Sequence, residues 1–72
     1  MGVSGSEVEA LQAVEEVGGK TVAQSVARKM GINVDYARVI LTSLAKRDYL
    51  DLNVRGTYIL TLKGRYEVER RK

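Results

Sequence analysis

Valine or leucine stands at positions 8, 11, 14 and 17 of the chain, with Ala10 alongside, and mostly polar or acidic residues lie between them. Spacing of about three places these side chains along one face of a helix. At its start, Ser6 and Glu9 are spaced as a capping box, in which each side chain satisfies a backbone N–H, and Gly18-Gly19 ends it. Thr21 and Gln24 repeat the capping pattern before a second helix, whose apolar side is Val22, Val26, Ala27 and Met30. Gly31 closes that helix, because a residue without a side chain takes the left-handed cap conformation at little cost. Asn33 is placed to cap a third helix. There Ala37, Ile40, Leu41 and Leu44 fall at i, i+3, i+4 and i+7 and share the core face, while Asp35, Arg38, Val39, Thr42 and Lys46 occupy the opposite one.

The period changes after Arg47-Asp48. Residues 49–53 and 57–61 are rich in strand formers and are separated by Val54-Arg55-Gly56, the pattern of a hairpin with a glycine-bearing turn. Tyr49 and Tyr58 are expected to cover the edge of the core, as amphipathic rings commonly do. Thr61 is placed to cap a short last helix, from 62 to about 70, with Leu62, Tyr66 and Val68 as its thin apolar side. Arg70-Arg71-Lys72 is expected to fray.

Residues 23–42 resemble the helix-turn-helix motif. Ala27 and Gly31 stand four apart at the helix crossing and turn, Ile32 follows, and Val26, Met30, Ala37 and Ile40 take the apolar positions. Two helices crossing at a short turn leave room for only a small side chain at the contact and none at the bend. Ala37 is smaller than the branched residue often found at its position, so Ile40 or Leu41 is expected to fill the space. Further on, LTSLAKRDYLDL is similar to the end of a recognition helix entering the first wing strand of MarR-like and related winged-helix regulators, and TYILTLKGR to their second wing strand and following helix. Asp48 stands where many relatives have glycine, which implies a different turn there. The resemblance covers about residues 7–67. It implies an α+β, mainly α fold, a winged helix-turn-helix with a three-helix core, a two-stranded β wing and a short C-terminal helix. One domain would span 6–70, between a flexible N-terminus at 1–5 and a basic tail at 71–72.

Composition narrows the chemistry. With 72 residues the chain makes one small domain, which buries at most ~60% of the unfolded chain's surface. Cysteine and histidine are both absent. That removes disulfides, the usual metal ligands and the usual general base at neutral pH, and fits a reducing compartment. No paired carboxylates, glycine-rich phosphate loop or nucleophile and base occur at useful spacing, so the chain reads as no enzyme, with no catalytic residue, metal or cofactor. Lacking an apolar run of membrane-spanning length or a secretory leader, it reads as cytoplasmic. The opening MGVSGS formally fits an N-myristoylation signal at Gly2, though a flexible start running into a helix cap accounts for it more simply.

The net charge is only +3, but it is unevenly spread. Residues 1–19 hold Glu7, Glu9, Glu15 and Glu16 and no cation, whereas residues 20–72 hold all twelve Lys and Arg against five carboxylates. Such a division suits a protein that turns one face toward phosphates, and it equally suits an ordinary solvated surface.

For function, the resemblance implies binding to double-stranded DNA, with the recognition helix, about 34–46, in the major groove and the wing, about 53–57, on the minor groove or backbone. Val34, Asp35, Tyr36, Arg38, Val39 and Thr42 would then lie nearest the bases. Arg38 is the leading candidate for base readout, through a bidentate bond to guanine. Asp35 would accept from cytosine, orient Arg38, or only favour the helix N-terminus; Tyr36 would reach a phosphate or stack on the neighbouring helix. Thr42, Ser43 and Lys46 would face the backbone, Arg55 the minor groove or a phosphate, and Lys20, Thr21 and Arg28 the flanking strand. A transcriptional regulator is the first reading, acting as a homodimer through Leu62, Tyr66, Val68 and part of the first helix, with little room for an effector pocket. The alternative is a winged-helix protein-interaction module in a larger assembly, for which Val34 and Val39 would seat on the partner.

Overall fold

The computed structural model describes residues 5–71, in the order helix, strand, helix, helix, strand, strand, helix. Helix α1, Gly5–Glu16, buries Ala10, Leu11, Ala13 and Val14. Ser6 lies inside this helix and not at its cap, so the expected capping box does not mark the start. Residues 1–4, with most of the expected flexible N-terminus and the Gly2 pattern, lie outside the described residues, as does Lys72 of the expected tail. After α1 the backbone turns through Gly18 and Gly19, both at positive φ, and the Gly19 carbonyl accepts a hydrogen bond from the Leu60 N–H at 2.7 Å.

That turn leads into a strand the helix-based reading did not anticipate. Strand β1, Lys20–Val22, pairs antiparallel with β3, Thr57–Leu60, placing Thr21 opposite Tyr58 and Val22 opposite Thr57. On its other side β3 pairs antiparallel with β2, Leu50–Leu52, so the hairpin belongs to a three-stranded sheet ordered β1-β3-β2. Thr21 is therefore a strand residue and caps nothing. Helix α2, Ala23–Met30, starts after Val22, which is extended and supplies no side-chain cap.

The helix-turn-helix segment forms as expected. Gly31 ends α2 in the left-handed conformation at φ 72°, and the Ile32 N–H bonds back to the Ala27 carbonyl at 3.0 Å. Asn33 Oδ1 accepts from the Tyr36 N–H at 2.8 Å and so starts α3, Val34–Lys46. Ala37, Ile40, Leu41 and Leu44 are all buried, and the last three join Leu11, Val14, Val26 and Leu50 in one core. Ala37 is completely covered, and Ile40 and Leu41, one turn further along the helix, are in the core.

At the end of α3, Asp48 itself takes the left-handed conformation, φ 67°, that favours glycine. Short polar side chains tolerate it better than most. The Asp48 carbonyl is held by the Thr61 hydroxyl at 2.5 Å, and Thr61 Oγ1 also accepts from the Gly64 N–H at 3.0 Å, capping α4, Leu62–Arg70. Gly64 is buried against the sheet, where a Cβ would run into the Tyr49 carbonyl oxygen and Leu60 Cδ1. Glycine is what lets α4 approach so closely.

The three residues of the expected apolar side of α4 are not buried alike. Val68 is buried, but Leu62 is 86% and Tyr66 69% exposed, and the other inward residue is Glu67. Its carboxylate takes Arg71 Nε at 2.6 Å and Arg70 Nη2 at 3.0 Å. Arg70 and Arg71 are thus tied back instead of frayed. The Arg71 hydrogen bond, with a smaller effect from Arg70, holds the Glu67 carboxyl below its ordinary range against the opposing effect of burial. A lowered folded-state pKa contributes stability above the unfolded value and loses it as pH falls through the folded one. Glu67→Gln should therefore lower stability by about 1–2 kcal/mol at neutral pH, and urea denaturation should show the gap from wild type closing as pH falls below about 4. A gap of equal size at pH 3 and pH 7 would contradict this role.

Candidate nucleic-acid interface

Burial of one stripe of α3 turns the opposite stripe outward. Asp35, Arg38, Val39 and Lys46 are exposed, and Thr42 is half-buried beside the sheet. Arg38 Nη1 lies 3.5 Å from Asp35 Oδ1, with both side chains largely in solvent. An ion pair so exposed is worth little, so the guanidinium can exchange Asp35 for another acceptor. Asp35 lies in the first turn of α3, so its contact with Arg38 and its place at the helix N-terminus coexist.

The hairpin turn is organised by Asn53. Its Oδ1 accepts from the Arg55 N–H at 2.9 Å and the Thr57 N–H at 3.0 Å, while Gly56, at φ 82°, donates to the Asn53 carbonyl at 3.1 Å. The turn holds Val54 and Arg55 out in solvent. Between turn and helix lies an open cleft of about 610 Å³, lined by Val34, Arg38 and Thr42 from α3, Arg55 and Gly56 from the turn, Leu52 and Tyr58 from the strands, and Val22, Ala23 and Gln24 at the start of α2. Tyr58 is buried, and its hydroxyl lies 3.5 Å from Thr42 Oγ1, which directs the threonine hydroxyl toward the hairpin. A second depression, of about 570 Å³, continues along α3 past Val39, Ser43 and Lys46.

No family model matches the sequence, and no curated protein matches it. Among solved structures, that of a MarR family protein from Bacillus stearothermophilus is similar, with a TM-score of 0.84 and 15% identity, over 97% of this chain and 51% of that one. The chain folds as a MarR-like winged helix. At this identity the likeness is one of fold, and the chain spans about half the length of the matched protein.

In this winged helix α2 and α3 are the helix-turn-helix pair and the β2–β3 hairpin is the wing. Of the expected contact residues, Val34, Arg38, Thr42 and Arg55 share the cleft, while Val39, Ser43 and Lys46 line the adjoining depression. Lys20, Thr21, Arg28, Asp35 and Tyr36 line neither. Lys20 sits at the far end of β1 from the wing turn, opposite Ile59, and Arg28 is exposed on α2. Val34 is half-buried and packs on the core, so it is less exposed than expected. Gln24, Leu52 and Asn53 were missed. An asparagine just ahead of a glycine-bearing turn was the available signal for the last.

Ser43 is spoken for by the fold. Its hydroxyl donates to Glu7 Oε2 at 2.9 Å, and Arg47 Nη1 reaches the same carboxylate at 3.1 Å, so the first helix engages both residues. Glu16 similarly pairs with Lys29 at 3.1 Å. On the outward side, Lys46 and Arg55 have no carboxylate partner among the described residues. No cluster among the described residues could hold a metal ion, and none of their helices is long and apolar enough to cross a membrane. Ser43→Ala should cost about 1 kcal/mol of stability, whereas Lys46→Ala should stay within about 0.5 kcal/mol. Thermal unfolding of the two variants checks the contrast, and equal losses would contradict the different roles given to neighbours on one helix.

Proposed function

We propose that the protein binds double-stranded DNA and serves as a cytoplasmic transcriptional regulator, with α3 in the major groove and the wing turn on the adjacent minor groove or backbone. The observation that carries this reading is the common cleft of Arg38, Thr42 and Arg55, flanked by Lys46 on the same helix face. A thirteen-residue helix is about 20 Å long and about 10–12 Å across with its side chains, and B-DNA's major groove is about 12 Å wide. Arg38 then approaches base edges, where its planar fork suits guanine, while Arg55 and Lys46 meet phosphates. One reading head of this size makes few base contacts. A homodimer supplies two, and the exposed Leu62 and Tyr66 of α4 are the apolar surface offered to a second copy; Val68 is buried within the protomer and drops out of that role.

Titration with mixed-sequence duplex DNA at several salt concentrations tests the reading. Affinity should fall steeply with salt, since each phosphate neutralised releases counterions. Both Arg38→Ala and Arg55→Ala should weaken binding, the former by about 1–3 kcal/mol at its preferred base and the latter nearly uniformly across sequences. Sedimentation of the same mixtures should show two protein copies on each duplex. Absent or salt-insensitive binding, together with retention on a protein partner, would favour the docking-module alternative.

A further inference from the structure

We infer that Val39 reads a thymine methyl group, which sharpens the DNA reading above, and rests on it, by assigning thymine to one position of the bound site. Val39 is 65% exposed at the middle of the outward stripe, the one aliphatic residue among Asp35, Arg38, Thr42 and Lys46. Two contacts engage its polar neighbours. Asp35 and Arg38 lie against each other, and Thr42 directs its hydroxyl to Tyr58. What the centre of the helix face presents is a bare isopropyl group.

In the major groove, the C5-methyl of thymine is the apolar feature that sets one base edge apart; the other edges offer only hydrogen-bond donors and acceptors. An isopropyl group laid over guanine, cytosine or adenine would strip water from polar atoms and return no hydrogen bond, which is unfavourable. Over thymine it buries methyl against methyl. Selection is therefore both attractive and repulsive at the same residue. The branched side chain also has one strongly preferred rotamer in a helix, so little freedom is lost on contact. Since Val39 takes no part in the buried core, its contribution to recognition can be separated from any contribution to folding.

The test begins with a duplex enriched from a random pool by repeated binding to the wild-type protein. That duplex is then resynthesised with uracil for thymine, which removes the methyl and leaves base pairing intact. Wild type should bind the uracil duplex about fourfold more weakly for each methyl it covers. Val39→Ala should show a smaller difference between the two duplexes and unfold at the wild-type temperature. Equal binding of both duplexes by wild type, or an undiminished thymine preference in Val39→Ala, would overturn the inference while leaving DNA binding in place. Failure to bind or enrich any duplex would overturn the DNA reading itself, and this inference with it.

Discussion

Burial of Ala37, Ile40, Leu41 and Leu44 fixes the rotation of α3 about its own axis, and the character of the outward surface follows from that rotation. Successive helical residues are about 100° apart, so once these four face α1, α2 and the sheet, Arg38, Val39 and Lys46 have no choice but solvent. Turning the helix by one residue so as to drive Arg38 toward the core would bring Ile40 out of it. Each exchange is unfavourable by more than about 1.5 kcal/mol, through lost apolar burial or a charge taken from water. The outward face is thus maintained chiefly by the core behind it.

A second constraint sets the wing relative to that helix. Asp48 reverses the chain in a left-handed conformation, Thr61 holds the Asp48 carbonyl and caps α4, and Gly64 lets α4 close on the Tyr49 backbone. These contacts join the end of α3 to both strands of the hairpin. Tyr58 then reaches across from β3 to Thr42. Arg55 is consequently carried to the same cleft as Arg38 by backbone hydrogen bonds and packing, without any direct attraction between two like charges. On the opposite side, Glu7 and Glu16 of α1 take up Arg47 and Lys29.

Much of this was legible in the residue order because it depends on local chemistry. The i, i+3, i+4, i+7 stripe of α3, the Asn33 and Thr61 caps and the Gly31 stop each act within a few residues, and each formed as read. Strand β1 was not legible, since three residues carry no measurable alternation and their strand character comes from pairing with residues 57–59. Thr21 looked like a cap for that reason. The last helix misled in another way. Its apolar positions, Leu62, Tyr66 and Val68, do not share one burial, and Glu67 turns inward because Arg70 and Arg71, one turn later, compensate its charge. Likewise Ser43 looked available until Glu7, thirty-six positions away in sequence, was seen to engage it. Local periodicity found the outward face of α3; pairing between distant residues decided which side chains on it remained uncommitted.

The central claim is that the outward face of α3 and the wing form one duplex-binding surface. Amide chemical-shift mapping of the isotopically labelled protein during titration with duplex DNA tests it most directly. The account predicts that shifts concentrate along Val34–Lys46, around Arg55 and Gly56, and at the start of α2 near Gln24, while the buried face of α1 stays unmoved. Shifts confined to α4 or α1, with Arg38, Val39 and Arg55 unchanged, would contradict it.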